Sequence, residues 1–330
     1  MKLFTALALL LGLALLGWLL YETDLEAALD LLTRIGIWGA LAIMAVFAAS
    51  FGAEIIAWAL TFTRPVTLPW LGGLWNVNMV GEALSVVMPF GALGGEPFKA
   101  LLLNRHYGVP YGESTASLLI VQTMFAAAQA PFVLVGLVLV LASGLLSEGV
   151  ELAMTFAAIG LTLFMVLVLV AIRLRWLAAL ARRLARSGRG ARLVDVIAML
   201  NDVEYRLFSF IRNDPKRFAL AFLFFFLNWV IGAVEIWVIL HLMGSSVSFW
   251  DCWIIEAAVV LIRSATFFVP AHIGSLEAAT VYVTAALTGS TDLGLALALA
   301  RRARELGWSA IGLAIGGIYA LKKPQRKADA

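Results

Sequence analysis

The chain has 330 residues, 62% of them hydrophobic and only 14% charged, with a mean hydropathy of +0.96 and a formal net charge of +3. That balance excludes a soluble globular domain and a nucleic-acid binder, and leaves a polytopic membrane protein. Apolar runs of 18 residues and more, without the alternation of a barrel strand, point to an all-α fold.

In chain order, Lys2 is followed by an apolar run over Leu3–Leu20. This is long for a signal core, and no small-x-small cleavage site follows, so it is predicted as the first transmembrane helix. Further spans are predicted at roughly 35–62, 114–142, 152–172, 217–243 and 293–320. Two regions are too interrupted for one helix. Residues 75–106 contain Pro89, Gly91, Gly94 and Gly95, and residues 250–288 contain Pro270 and Gly274. Each is predicted as a re-entrant hairpin of two half-helices.

Charge orients these segments. Residues 173–217 hold eleven of the 24 lysines and arginines, and the tail adds Lys322, Lys323, Arg326 and Lys327. Both belong on the cytoplasmic side. The segments 143–151, 244–251 and 288–292 have no Lys or Arg, and 21–34 is mainly acidic, so these are expected as outside loops. Six spans and two hairpins satisfy the pattern with both termini cytoplasmic. Treating each hairpin region as one full span breaks it. The basic linker 173–216 contains an amphipathic stretch at 174–212, in which Leu177, Leu180, Leu184, Leu193, Ile197 and Leu200 alternate with arginines. It reads equally as a helix resting on anionic lipid of the cytoplasmic leaflet and as a positive inside loop.

The two interrupted regions look duplicated. Pro89, Gly94 and Glu96 recur as Pro270, Gly274 and Glu277, with each Glu seven positions after its Pro. The offset of 181 between the glutamates also carries Glu54 onto Glu235 and Glu82 onto Arg263. Residues 35–142 and 217–320 are therefore expected to be two repeats, inverted across the membrane plane. Interrupted apolar segments at matching positions of two halves mark a transporter-type site.

The candidate site residues follow from the cost of charge in a bilayer. Arg301, Arg302, Arg304 and Glu305 sit inside the last span, with Arg301, Arg304 and Glu305 on one face. A guanidinium in a cavity suits a phosphate or carboxylate. The internal alternative pairs Arg304 with Glu277 and Arg301 with Glu305. Glu96 and Glu277 open half-helices, where a carboxylate either caps the helix or exchanges a proton. Lys99 lies one turn beyond Glu96. Backbone amides at Gly94, Gly95 and Gly274 could hold an anion. Gln122 and Gln129 offer uncharged hydrogen bonds, and His272 lies within the second break. Glu54, Glu82, Glu235, Glu256 and Arg263 are charge-pair candidates. Arg304→Ala is expected to abolish function with folding largely intact. No metal-ligand pattern, nucleotide loop or cofactor motif is present, and Cys252 stands alone as a small apolar packing residue.

Pro89…Gly94-Gly95-Glu96…Lys99 and Pro270…Gly274…Glu277, together with Arg301–Glu305, resemble the lysylphosphatidylglycerol synthase transmembrane family, the flippase-like domain family. The resemblance covers nearly the whole chain. It implies a protein of the bacterial inner membrane that moves or sequesters lipids, such as aminoacylated phosphatidylglycerol or polyprenyl-linked glycolipids. The stand-alone, Gln-bearing form is similar to the hopanoid-biosynthesis-associated subgroup. No aminoacyl-transferase segment follows Leu321, so aminoacyl-lipid synthesis is not implied. One departure concerns Gln122-Thr123, where many members carry an Arg/Asp-type pair.

The expected function is transport of an anionic, polyprenyl or hopanoid-type lipid through a midplane cavity, without cofactor or nucleic acid. Arg304, Arg301 and Lys99 would neutralise the head group. The alternatives are an intramembrane enzyme with Glu96 or Glu277 as base, and a scaffold for lipid-biosynthesis enzymes.

Overall fold

The computed structural model describes residues 17, 21, 23–62, 64–87, 95–144, 148–173, 205–206, 208–266 and 272–321. The expected first span, most of the basic linker, the tail, and the breaks around Pro89, Gly91, Gly94 and Pro270 lie outside the described residues. Among those described, the chain is helical and has no strand. It is an all-α membrane protein.

The helices are α1 (Leu25–Thr61), α2 (Leu68–Val87), α3 (Glu96–Tyr107), α4 (Tyr111–Ser143), α5 (Glu148–Arg173), α6 (Pro215–Leu242), α7 (Phe249–Ala265), α8 (Ser275–Thr288) and α9 (Thr291–Leu321). Among the described residues, α1, α4 and α6 are long and apolar enough to cross a bilayer by length and composition. One expectation needs correction. The 21–34 segment is not wholly a loop, because α1 already starts at Leu25. Asp24 caps it, accepting a hydrogen bond from Ala27 N. The helix then breaks at Gly36, whose φ of 58° and ψ of −178° suit only glycine, so the early turns are offset from the spanning part.

The predicted hairpins are each two helices. At 1.5 Å per residue, α3 is about 18 Å long and α8 about 21 Å, short of the roughly 30 Å of a hydrocarbon core. The 181-residue offset runs through the helix boundaries as well. Leu68 starts α2 and Phe249 starts α7; Tyr107 ends α3 and Thr288 ends α8. Gly108 and Gly289, the residues after those ends, are both left-handed C-caps with φ of 65° and 75°.

Packing follows the same pattern. Helix α1 lies along α6, α9 lies against α2 and α4 against α7. Close approach depends on small residues, as in membrane bundles generally. A Cβ on Gly312 of α9 would come within 2.4 Å of Met79 O on α2, and one on Gly136 of α4 within 2.4 Å of Ala257 Cβ on α7. Between the crossings, Trp58, Phe132 and Phe225 are fully buried. The Trp253 indole donates to Phe132 O at 3.0 Å, so a buried N–H keeps a partner. Outward, Trp38, Val138, Leu141, Leu152 and Phe156 are exposed, as expected for a surface solvated by lipid.

Candidate functional site

A cavity of about 330 Å³ lies where the two halves meet. It is lined from α1 by Phe47, Ser50 and Glu54, from α2 by Glu82, and from α4 by Gln122 and Phe125. The second half contributes Asn228, Trp229 and Glu235 from α6, Glu256 and Arg263 from α7, Glu277 and Thr280 from α8, and Arg301, Arg302, Arg304, Glu305 and Trp308 from α9. Spacing in sequence had brought most of these charges to one place in principle. Their pairing is what the structure adds.

Arg304 is held by Glu235, not by Glu277 as the internal alternative had it. Its Nε lies 2.7 Å from Glu235 Oε1 and its Nη2 donates to Oε2 at 3.1 Å, a two-point fork that fixes both side chains. The Phe47 ring covers the guanidinium, with Cζ 3.8 Å from the ring centroid. Arg301 pairs with Glu256 rather than with Glu305. Its Nη1 is 2.7 Å from Glu256 Oε2, and its Nε is 3.6 Å from Glu235 Oε2. Arg302, on the neighbouring face, takes the two remaining acids. It donates to Glu277 Oε1, with Nε at 2.8 Å, and to Glu305 Oε2, with Nη1 at 2.9 Å. One turn and a half of α9 thus organises three carboxylates from three other helices besides its own Glu305.

Among the described residues, the acidic cluster of the first half contains one cation, Lys99. Lys99 is buried, with Nζ 2.7 Å from Glu82 Oε1 and 2.8 Å from Glu96 Oε1. Gln122 donates to the same Glu96 oxygen at 3.0 Å. Glycine makes room for this arrangement. A Cβ on Gly81 would lie 2.3 Å from Lys99 Cε. Glu54 differs from its expected role as a charge-pair member. Asn78 Nδ2 donates to it at 3.1 Å, and it makes no ion pair with any described residue, because the cations near it are committed elsewhere. Arg263, exposed towards the cavity, likewise forms no ion pair with a described residue. The offset that matches it to Glu82 does not make the two a pair.

The remaining expectations sort by position. Lys99, Glu96, Gln129, Gly95, Gly274 and His272 do not line the cavity. Gln129 donates to Ser264 Oγ at 2.7 Å, a link between α4 and α7. His272 sits beside the C-terminus of α7, with Nδ1 3.2 Å from Thr266 Oγ1. The backbone amides expected to hold an anion already have acceptors. Gly95 N donates to Ser85 Oγ at 3.0 Å, and Gly274 N donates to Glu277 Oε2 at 2.9 Å. Glu277 is therefore both a cap and an ion-pair member. Gly94 lies outside the described residues. Among the described residues, no group of three His, Cys, Asp or Glu side chains is placed to hold a metal ion.

Sequence reasoning missed Phe47, Asn78, Asn228, Trp229 and Trp308. Aromatic and amide residues in an apolar helix carry no marker that separates a cavity wall from a core. Asn228 was the one detectable signal, since an amide inside a Phe-rich span must find a partner. It donates to Ser50 O at 2.9 Å, tying α6 to α1.

With the bundle and the charged cavity in place, comparison with known proteins gives one result. The lysylphosphatidylglycerol synthase TM region family matches residues 5–313. The chain belongs to this family. No curated protein and no solved structure matches it. As a member of that family, it is a membrane protein of lipid metabolism or transport.

Proposed function

We propose that this family member is a lipid transporter, a flippase whose two halves are inverted in the membrane and pass a lipid head group through the cavity between them. The observation that carries this reading is the cavity itself. An apolar bundle encloses about 330 Å³ lined by ionisable side chains from both halves. That volume holds many waters and leaves room for a phosphate-bearing head group. Charged groups at such depth belong to substrate paths more often than to packing.

The head group is anionic in this reading, as in a phospholipid or a polyprenyl or hopanoid-type carrier, and its phosphate meets Arg263. Arg301, Arg304 and Lys99 have carboxylate partners already, so an anion reaching them has to displace one. Arg263 has no such competitor among the described residues. Rocking of one half against the other exposes the cavity to either side. The protein would reside in a bacterial inner membrane with both termini cytoplasmic, its basic linker against anionic lipid, beside lipid-biosynthesis enzymes.

The dense pairing on α9 favours one other reading, a scaffold in which the charges only hold the bundle together. Lipid mass spectrometry on protein purified in mild detergent separates the two. The transporter reading expects a distinct phosphate-bearing lipid retained by wild type and lost from Arg263→Gln. Equal bulk phospholipid in both would support the scaffold.

A further inference from the structure

The charged clusters in and beside the cavity are not equally balanced in the two halves. The second half is balanced, with four carboxylates (Glu235, Glu256, Glu277 and Glu305) against four guanidiniums. The first half sets Glu54, Glu82 and Glu96 against Lys99 alone. Fully ionised, that cluster carries a formal charge of −2 inside an apolar bundle. Such an excess is costly unless cations or protons cancel it.

Within the cluster the acids are not equivalent. Lys99 touches both Glu82 and Glu96, and Gln122 adds a donor to Glu96. Glu54 has only the neutral amide of Asn78. Its duplicate, Glu235, is clamped by Arg304 and approached by Arg301. At the matching positions of the first half, 123 and 120, stand Thr123 and Ile120. Glu54 occupies a carboxylate position whose cations are missing from its own half. It also lines the cavity, where a proton can come and go.

We propose that Glu54 is the proton-carrying carboxylate of this cavity and that lipid movement is coupled to its release and uptake. The coupling rests on the transporter reading above. The proton on Glu54 does not. In the resting state Glu54 is neutral, so the first half keeps a charge of −1 rather than −2. When the halves rock, the proton leaves Glu54 for the side to which the cavity opens, and a proton from the other side replaces it on the return. One O–H bond breaks and one forms per cycle. The charged groups acting on Glu54 are Glu82 from α2 and Glu96 and Lys99 from α3. The cavity it lines also holds the uncharged Gln122 from α4, Glu235 from α6, Glu256 and Arg263 from α7, Glu277 from α8, and Arg301, Arg302, Arg304 and Glu305 from α9. Of these, Lys99, Arg301 and Arg304 are held by other carboxylates. Glu96, given a capping or proton-exchanging role on sequence grounds, keeps its lysine, and Glu277 keeps its arginine.

The test has two arms. Infrared spectroscopy of the full chain in lipid nanodiscs near neutral pH should show the C=O stretch of a protonated carboxyl, lost in Glu54→Gln. Absence of the band from wild type overturns the proposal, and so does a band that survives Glu54→Gln but disappears in Glu82→Gln or Glu96→Gln. In the second arm, the protein is placed in phosphatidylcholine vesicles with a trace of fluorescent phosphatidylglycerol. A pH gradient should speed transfer several-fold in wild type and leave Glu54→Gln without that response. An equal response in both overturns the coupling. If wild type moves no fluorescent lipid at all, the transport reading fails and the coupling with it. The infrared arm still decides whether Glu54 holds a proton.

Discussion

The two halves share helix boundaries to within a few residues at a constant offset, yet they treat the same carboxylate in opposite ways. Glu235 sits in a two-point clamp from Arg304, while Glu54 has one amide hydrogen bond. The neighbouring positions differ as well. Gly81 and Lys99 in the first half correspond to Ile262 and Thr280 in the second. Where a lysine must reach inward, the facing position is glycine. Where the second half has threonine, the position matching Gly81 carries isoleucine. The helix boundaries match across the offset while the charges do not, leaving one half closely paired and the other with acid to spare.

The comparison is broken most strongly at its clamped member. Glu235→Gln leaves Arg304 buried without its counter-ion and should cost about 3–5 kcal/mol. Glu54→Gln should change stability by less than about 1 kcal/mol, since no ion pair is lost. Thermal unfolding in detergent measures both, and equal losses would show that the halves are held alike. The same reasoning revises an expectation from sequence. Arg304→Ala strands Glu235, so it should lower stability by a similar amount, and loss of function in that variant would not by itself identify a substrate contact.

That revision shows where the sequence was legible. Periodic features read well. The limits of the spans expected at 114–142, 152–172, 217–243 and 293–320 came within a few residues, because apolar runs are local signals. The offset of 181 that relates Glu96 to Glu277 also relates the starts of α2 and α7 and the ends of α3 and α8. Pairing did not read well. Arg304 and Glu235 are 69 residues apart, and Arg301 and Glu256 are 45 apart. Which acid meets which arginine depends on how α6 and α7 are set against α9, which no local pattern encodes. The early start of α1 was hidden because its acidic first turns resemble an outside loop until Asp24 is seen as a cap.

A smaller effect is expected where the halves differ in packing. Gly81→Ala pushes a methyl group against Lys99 and should cost about 1–3 kcal/mol, as overpacking does elsewhere. A stability unchanged by that substitution would mean that Lys99 does not lie over Gly81. The smallest effect belongs to Gln122→Ala, which removes one donor from Glu96 and leaves Lys99 in place. About 1 kcal/mol is expected, and the same unfolding assay sharpens the ranking.

The central claim is that a lipid head group passes the cavity and meets Arg263 on the way. The most direct measurement is the rate at which fluorescent phosphatidylglycerol changes leaflet in vesicles containing wild type or Arg263→Gln. Wild type should exceed empty vesicles. Arg263→Gln should be slower by roughly tenfold or more at unchanged melting temperature, the equivalent of one charge-assisted hydrogen bond. Equal rates for the two proteins, or no transfer by wild type, would contradict the account.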